Sequence, residues 1–296
     1  MNKIVILGGS GFVGSALILK LLEKNYEVLN LDRAPSRIQN PKLDFVQIDL
    51  MNEEIDSSLL ENTLAIVNLA GIPIFGRFTE KYKKLIYDSR INTTSNLVNA
   101  ILKTKDKPKT LVSASAVGYY GDKKEELLNE ESIPGKDFLA KVCVDWEKEA
   151  LKARSENTKV VILRTAHVIG NGGLKNVLRS LFQKQIGGYF GSGLQRMPFI
   201  SLTDLVNLYI FAIEQNLDGI YNTATKTPPQ TEFMSTFQKR YGAFFLFPIP
   251  GIFGYLLYGE FIDALIGGQN IDNTKILKNG FTYQDRDLKT LLSNLD

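Results

Sequence analysis

The sequence predicts an α/β protein built on a doubly wound, parallel β-sheet. Short apolar runs typical of buried strands alternate with longer patterns typical of amphipathic helices. Because right-handed crossovers join successive parallel strands, the carboxyl ends of the strands lie at one edge of the sheet. Ligands bind at that edge, so the residues that follow each strand are the candidates for function. The strand-like runs are Lys3–Leu7, Glu27–Leu31, Phe45–Ile48, Ala65–Leu69, Thr110–Ser113 and Val160–Leu163, and the helical patterns cover residues 12–24, 80–104 and 138–154.

The first strand-like run leads directly into a glycine-rich segment, Gly-Gly-Ser-Gly-Phe-Val-Gly at residues 8–14. The first glycine of the motif permits a tight turn, the second lets the backbone approach a phosphate, and the third lets the next helix pack on the strand. The free amides at the start of that helix favour an anion at the same place. The segment therefore predicts a Rossmann-type site for a dinucleotide pyrophosphate, made by Gly8, Gly11, Phe12, Val13 and Gly14.

The second run ends in an acidic residue that bears on the choice of cofactor. Asp32 follows the glycine segment at about the 20-residue offset at which a carboxylate meets the ribose hydroxyls of the adenosine. Such a carboxylate favours NAD, because it repels the 2′-phosphate of NADP. The neighbouring Arg33 favours NADP, because a guanidinium can pair with that phosphate. The sequence thus predicts NAD or NADP as the cofactor, with a slight preference for NAD.

Composition argues against several classes of protein. The 35 basic and 32 acidic residues give a formal charge of +3 without a long basic block, so neither nucleic acid nor a membrane is expected as a partner. The single cysteine, Cys143, allows no internal disulfide or cysteine-based metal cage, and no metal site is predicted. The N-terminal sequence does not resemble a secretory leader. We expect a cytoplasmic monomer or homodimer that binds a small-molecule substrate.

Glycines interrupt the regular alternation of elements after residue 170. We therefore predict a Rossmann domain over residues 1–170, completed by parts of 195–225, and a smaller substrate-covering region over 171–296. The second region includes a C-terminal domain over roughly 240–290. Its apolar stretch, residues 243–257, is too short to span a bilayer and is interpreted as a strand, a turn and the start of a helix.

Several motifs follow the later strands or lie on the helices between them: Asn68-Leu69-Ala70-Gly71, Asp88-Ser89-Arg90, the segment from Ser113 to Gly121, Asp145-Trp146-Glu147, Gly191-Ser192-Gly193 and Gly267-Gly268-Gln269. They resemble the motifs of the extended short-chain dehydrogenases/reductases, which include nucleotide-sugar epimerases and dehydratases. In combination they are similar to an atypical, epimerase-like subfamily with a small C-terminal domain of unknown function, often labelled nucleoside-diphosphate-sugar epimerases. The resemblance covers nearly the whole chain and implies the fold more firmly than the reaction.

The resemblance implies roles for further residues of the cofactor site. Asp49 would meet the adenine, with Leu50 beside it. The alternative for Asp49 is a simple turn acid at the end of a strand. The central part of the cofactor would be lined by Leu69, Ala70 and Gly71.

The proton-transfer pair of typical family members is absent. They carry Tyr-x-x-x-Lys on the helix after the fifth strand, where one helical turn brings both side chains to the same face. Here Phe138 or Leu139 takes the place of the tyrosine, and Val142 or Cys143 that of the lysine. Lys141 would approach the cofactor ribose only in a shifted register, and a solvated surface lysine is the alternative.

Two literal matches to the spacing occur earlier, Tyr119 with Lys123 and Tyr120 with Lys124. Both span Gly121 in a predicted loop, so the helical geometry that gives the spacing its meaning is missing. Tyr119 or Tyr120 is instead a candidate to move a proton alone.

Other residues are candidates for contacts with the substrate. Ser115 is predicted to donate a hydrogen bond to a substrate oxygen, His167 follows the sixth strand, and Arg196 can pair with a phosphate or carboxylate. Arg77 and Arg90 flank the expected cleft. Each has a structural alternative: a turn hydroxyl, a core histidine or an exposed arginine.

Three functions are compatible with these observations. The first is an NAD(P)-dependent epimerase or oxidoreductase that acts on an unidentified carbonyl or secondary alcohol, with a nucleotide sugar among the candidates; Ser115, Tyr119 and Tyr120 are its predicted catalytic residues. The second is a catalytically impaired, cofactor-sensing or regulatory binding protein. A structural partner protein with an empty glycine loop is the third.

Overall fold

The computed structural model describes residues 2–74, 76–250, 252 and 267–295. Its strands are β1 Lys3–Leu7, β2 Glu27–Asp32, β3 Leu43–Gln47, β4 Thr63–Asn68, β5 Thr110–Ala116, β6 Leu127–Leu128, β7 Lys159–Thr165, β8 His167–Gly170, β9 Gly188–Phe190, β10 Phe199–Ser201, β11 Gly219–Thr223, β12 Phe247–Ile249 and β13 Asn270–Ile271. Its helices are α1 Phe12–Glu23, α2 Glu80–Lys103, α3 Phe138–Leu151, α4 Gly173–Gln183, α5 Leu202–Glu214, α6 Gln230–Tyr241, α7 Thr274–Lys278 and α8 Leu288–Asn294. The six strand-like runs and the three helical patterns given above are all present, with boundaries shifted by a few residues at most.

A seven-stranded parallel sheet forms the centre of the fold. The strand order is β3-β2-β1-β4-β5-β7-β11, and each neighbouring pair runs parallel. The direction in which the chain adds strands reverses between β1 and β4, and such a reversal leaves a crevice at the carboxyl ends of the strands. The prediction of a Rossmann-type, doubly wound sheet is confirmed.

The central strands bury apolar side chains on both faces of the sheet. In β1, Ile4 and Ile6 join the core cluster that contains α1 and α5, whereas Val5 and Leu7 join the cluster that contains α2 and α3. Successive side chains of a strand point to opposite faces, so a strand covered on both sides must be apolar throughout. The two helical layers therefore hold a rigid sheet whose carboxyl edge carries the site.

The chain after residue 170 adds smaller pieces around this sheet. Strand β10 pairs with β8, β12 with β9, and β13 with β6, and a separate apolar cluster joins α4, α6 and α8. The strand expected within residues 243–257 is β12, but residues 251 and 253–257, where we expected a helix to begin, lie outside the described residues. The division at residue 170 into two regions stays a prediction. Within the described part of the chain, no helix combines the length and the apolar character needed to cross a membrane.

Candidate functional site

A cavity of about 330 Å³ opens at the carboxyl edge of the sheet, where the strand order reverses. The helix α2 forms one wall through Leu85, Ser89 and Thr93. Most of the residues predicted to bind the cofactor line this cavity: Gly8, Gly11, Asp32, Arg33, Asp49, Leu50, Leu69, Ala70 and Gly71. The structure thus brings together residues that follow four different strands.

The glycine turn after β1 has no room for a side chain at Gly8 and Gly14, nor at Gly9, where a Cβ would lie 2.4 Å from the Asn30 Oδ1 atom. Gly8 has a φ of +80°, and a Cβ there would lie 3.0 Å from the backbone of Ala70. A Cβ on Gly14 would lie 2.4 Å from the carbonyl oxygen of Gly8, because α1 packs directly on the turn. A Cβ on Gly11 would meet only the Gly8 oxygen, at 3.3 Å. Gly8 and Gly14 are therefore required by the fold, whereas Gly11 leaves space that the cavity uses.

The N-terminus of α1 carries no side-chain cap. Gly11 occupies the N-cap position, and no side chain accepts a hydrogen bond from the first turn. The first amides of a helix have no partner within it, so those of Phe12 and Val13 are donors for an anion. Their side chains serve packing instead: the ring of Phe12 lies 2.7 Å from the position of a Cβ on Gly172, and Val13 packs on the core. Any contact of Phe12 and Val13 with a phosphate is therefore through the backbone.

Two polar side chains of β2 hold the glycine turn in place. The fully buried Asn30 accepts a hydrogen bond from the Gly9 amide at 3.0 Å and donates one to the Ser10 hydroxyl at 3.0 Å. The Asp32 carboxylate accepts hydrogen bonds from the amides of Ser10, at 3.0 Å, and Arg33, at 2.7 Å. The turn and the acid predicted to meet the ribose are thus fixed relative to each other.

At the end of β3, Asp49 has the turn role that the sequence left open as an alternative. Its carboxylate accepts hydrogen bonds from the Met51 amide at 3.2 Å and the Asn52 side chain at 2.8 Å. The same residue borders the cavity. Asp49 therefore stabilises the turn at the border of the cavity, and its contact with an adenine stays a prediction.

At the carboxyl end of β5, Ser115 belongs to a buried ionic network. Its hydroxyl donates a hydrogen bond to the Glu147 carboxylate at 2.6 Å. Arg164 donates two hydrogen bonds to the same carboxylate, from Nε at 2.9 Å and from Nη2 at 2.8 Å. Glu147 and Arg164 are only 5% and 1% exposed. Although burial opposes the charge, the hydrogen bonds that Arg164 donates to Glu147 raise the pKa of Arg164, so its guanidinium stays charged at neutral pH.

The two tyrosines after β5 lie in different environments. The Tyr120 hydroxyl is in the core, where it donates a hydrogen bond to Asn222 at 2.7 Å and accepts one from Arg164 at 2.9 Å. Burial raises the pKa of Tyr120 to about 12. Tyr119 is partly exposed, with the Arg164 guanidinium 3.4 Å from the centre of its ring. Its hydroxyl bonds to no described residue, so Tyr119 is the better placed of the two to meet a ligand.

On α3, the positions of the missing Tyr-x-x-x-Lys pair hold apolar side chains. Phe138 and Leu139 pack in an apolar cluster with Val142. Cys143 is buried, which raises the pKa of its thiol to about 12 and leaves it uncharged at neutral pH. The exposed Lys141 pairs with an aspartate one turn along the helix. This face of α3 therefore supplies no proton donor of the usual kind.

The predicted substrate contacts His167 and Arg196 do not line the cofactor cavity. His167 lies beside Phe199 in the β8–β10 pair, and its removal from water lowers its pKa to about 4, so the ring is neutral at physiological pH. The Arg196 guanidinium donates a hydrogen bond to the Glu125 carboxylate at 2.8 Å. It borders a second cavity, of about 250 Å³, near Lys226. Their roles in substrate binding stay predictions.

Sequence reasoning did not identify the charged residues at the centre of the network. Glu147 appears in the sequence only as part of a motif, and Arg164 only as the residue after an apolar run. Such residues can be recognised in a sequence as charged or polar residues within an otherwise apolar, buried segment, because a buried polar group needs a hydrogen-bonding or charged partner. Asn30, inside the apolar run of β2, can be recognised in the same way.

Comparison with known proteins agrees with these observations. A family model described as the NAD dependent epimerase/dehydratase family matches residues 4–224. An epimerase family protein of Mycobacterium bovis is 34% identical, over 95% of this chain and 93% of its own length. The epimerase family protein SDR39U1 homolog, chloroplastic, of Arabidopsis thaliana is 33% identical, over 97% of this chain and 84% of its own.

A solved structure extends the similarity to the fold. Human epimerase family protein SDR39U1, determined with NADPH, matches with a TM-score of 0.88 and 28% identity, over 99% of this chain and 98% of that chain. The resemblance to an epimerase-like subfamily of the short-chain dehydrogenases/reductases is confirmed. This chain belongs to the NAD-dependent epimerase/dehydratase family.

Proposed function

We propose that this protein binds NAD or NADP in the cavity at the carboxyl edge of the sheet and acts as an epimerase-like oxidoreductase. Its substrate is a carbonyl compound or secondary alcohol, with a nucleotide sugar among the candidates. One observation carries the proposal: the glycine turn, the uncapped start of α1 and the Asp32 carboxylate meet where the strand order reverses. The family match and the NADPH in the human relative support this class of ligand.

The residues of the cavity fit a dinucleotide. A pyrophosphate needs close approach of the backbone and N–H donors, which the space at Gly11 and the first amides of α1 supply. The Asp32 carboxylate, held beside the turn by the Ser10 amide, is an acceptor for ribose hydroxyls. Asp49 borders the place expected for the adenine.

The chemistry is proposed to take place at the carboxyl end of β5. When bound, the nicotinamide ring would supply or accept the hydride. Ser115 directs its proton at Glu147, so it would contact a substrate hydroxyl as a hydrogen-bond acceptor. Tyr119 would move the proton to or from the substrate oxygen. Tyr120 is left out of this proposal because its hydroxyl is held in the core.

The assay of function is incubation of the purified protein with each cofactor and a panel of carbonyls, alcohols and nucleotide sugars. We expect a change in the oxidation state of the nicotinamide, or formation of an epimer, with at least one of them. Tight cofactor binding without turnover of any compound would favour the alternative, a cofactor-sensing or regulatory binding protein. The absence of the usual pair from α3 is the observation that favours this alternative.

Wild-type protein is expected to bind NADH more tightly than NADPH, because the Asp32 carboxylate repels a 2′-phosphate. Asp32→Ser should shift the ratio of the two affinities toward NADPH by about tenfold or more, with Arg33 free to pair with the phosphate. Because Asp32 also holds the Ser10 amide, Asp32→Asn is the companion variant: it keeps an acceptor for that amide and removes the charge, so it should shift the ratio in the same direction. Calorimetric titrations with NADH and NADPH measure the ratio of the two affinities for each protein. A clear preference of the wild type for NADPH would reverse this assignment.

Once a substrate is known, Tyr119→Phe is expected to lower kcat/KM by about 10²- to 10⁴-fold, the usual contribution of one positioned proton-transfer group. Ser115→Ala should also lower it. Tyr120→Phe is the control, expected to reduce stability more than kcat/KM because its hydroxyl has only core partners. If Tyr119→Phe and Ser115→Ala keep wild-type values while His167→Ala or Lys141→Ala is inactive, the proton chemistry lies elsewhere.

The other expectations from the sequence belong to the same proposal. The protein would be a cytoplasmic monomer or homodimer, and residues 171–296 would cover the substrate over a cofactor bound mainly by residues 1–170. Contacts of Arg196 and His167 with the substrate are part of this proposal.

A further inference from the structure

Four large apolar side chains are exposed where two segments of the chain lie side by side. Ile186, just before β9, is 63% exposed, and Phe244, Phe245 and Phe247, between α6 and β12, are 81%, 67% and 53% exposed. The amides of Phe244 and Phe247 donate hydrogen bonds across to the segment before β9, at 2.8 Å and 3.2 Å. The two segments are therefore held together, and we call the four residues the apolar patch.

The segment that carries the three phenylalanines is anchored in the core. Ala243 is buried and Leu246 partly buried in the apolar cluster of α4, α6 and α8. These two side chains thus face inward while their phenylalanine neighbours face outward, and the pairing of β12 with β9 fixes the end of the segment. Large apolar side chains that a fixed backbone holds together in water mark a surface that binds a partner.

Basic residues, and no acidic ones, accompany the patch along the chain. Residues 173–203 and 233–259 contain neither aspartate nor glutamate, although the whole chain has 32 acidic and 35 basic residues. Lys184 follows α4, directly before the first segment of the patch, and Lys239 lies in the last turn of α6, before the second segment. Both lysines are exposed, and neither forms an ion pair within the part of the chain that the structure describes. The surface thus combines aromatic side chains with positive charge.

An anionic lipid surface has the chemistry that fits this combination. Exposed aromatic side chains enter the boundary between lipid headgroups and acyl chains, and neighbouring lysines attract anionic headgroups. A second copy of this chain fits less well, because a symmetric contact would bring the lysines of both copies together and like charges repel. A protein partner usually receives anchoring side chains in a pocket, which a set of several projecting aromatic side chains does not require of a lipid surface.

We propose that the apolar patch, together with Lys184 and Lys239, docks the protein peripherally on an anionic lipid surface. The even balance of charge over the whole chain predicts no membrane partner, but it averages the acid-free segments with the rest. The patch and the two lysines do not line the cofactor cavity, so this surface is additional to the proposed cofactor site.

The test is co-sedimentation of the full chain with two kinds of vesicle, one of phosphatidylcholine alone and one of phosphatidylcholine and phosphatidylglycerol in equal parts. Wild-type protein is expected to bind the anionic vesicles about tenfold or more tightly than the neutral ones. Added salt should weaken this binding, because it screens the attraction between lysines and headgroups. Absence of binding to the anionic vesicles, or equal binding to both kinds, would overturn the proposal.

A double variant tests the aromatic side chains. Phe244→Ser with Phe245→Ser is expected to weaken binding to the anionic vesicles by about tenfold or more, because two rings no longer leave water on docking. Leu102→Ser removes an exposed apolar side chain from α2 and is the matched control, expected to stay within about twofold of wild type. Since both phenylalanines are exposed, thermal unfolding should match that of the wild type. Wild-type affinity in the folded double variant would contradict the docking role of the patch.

A second pair of changes tests the charges. Lys184→Gln with Lys239→Gln is expected to weaken binding to the anionic vesicles by about tenfold or more and to reduce its dependence on salt. Lys81→Gln with Lys105→Gln is the matched control, because it removes the same charge from exposed positions elsewhere. Equal losses in the two pairs would mean that only net charge matters, and the assignment of Lys184 and Lys239 would be wrong.

Sedimentation equilibrium without lipid tests the other occupant. The wild type and Phe244→Ser with Phe245→Ser are expected to have the same oligomeric state, because the patch docks on lipid. A concentration-dependent dimer of the wild type that this double variant abolishes would assign the patch to a second copy of the chain and overturn the proposal.

Discussion

Gly11→Leu is expected to weaken NADH binding by more than about 100-fold while the protein remains folded. A Cβ at this position meets only the Gly8 oxygen, at 3.3 Å, and the extended backbone of Gly11 suits any residue. The leucine side chain would instead occupy the cavity, where the pyrophosphate must approach the backbone. The measurement is a calorimetric titration, together with thermal unfolding to show that the fold persists.

Gly14→Leu is the contrasting variant for this prediction. A Cβ there would lie 2.4 Å from the Gly8 oxygen and 2.6 Å from the Gly9 Cα, so the side chain forces α1 away from the turn. This variant should lose stability as well as binding. Unchanged NADH affinity in a folded Gly11→Leu protein would show that the dinucleotide binds elsewhere.

Removing the acid of the buried network is expected to be the most destabilising single change considered. Glu147→Leu leaves the Arg164 guanidinium buried without its carboxylate, and breaking a buried ion pair in this way costs about 3–5 kcal/mol of the free energy of unfolding. The Ser115 hydroxyl loses its acceptor as well. Urea denaturation measures the loss.

Two further variants separate the ion pair from general effects on α3. The double change Glu147→Leu with Arg164→Met should recover much of the loss, because no unpaired charge remains in the core. Asp145→Asn, which alters a partly exposed pair on the same helix, should change the free energy of unfolding by less than about 1 kcal/mol. A loss of less than about 1 kcal/mol for Glu147→Leu would contradict the account of the network.

The fold, and the meeting of the proposed adenosine-binding residues at one cavity, could be predicted from the sequence because both depend on local patterns. Apolar runs such as Lys3–Leu7 report burial on both faces of the sheet, and the strand order then brings Gly8, Asp32 and Asp49 to one edge. Side-chain contacts between distant parts of the chain do not have to be known to predict that these residues meet. The proposed catalytic half is different, because its residues have partners that are distant in sequence.

Long-range contacts decide what the residues near β5 can do. Ser115 and Glu147 are on different elements, and Tyr120 meets Asn222 from the last strand of the sheet, so no local spacing reports these pairs. From the sequence, Tyr119 and Tyr120 were equal candidates for proton transfer. In the structure they lie on one turn of 3₁₀ helix, which buries Tyr120 but not Tyr119. The sequence also led us to expect that Ser115 donates to a substrate oxygen, whereas its hydroxyl donates to Glu147 in the structure.

The central claim is that a nicotinamide dinucleotide occupies the cavity at the carboxyl edge of the sheet. The measurement that tests it most directly is a crystal structure of the wild-type protein grown with NADH. The expected result is a pyrophosphate at the first amides of α1, adenosine beside Asp32, and the nicotinamide ring facing Ser115 and Tyr119. A bound NADH that avoids the glycine turn, or a nicotinamide ring turned away from the end of β5, would contradict it.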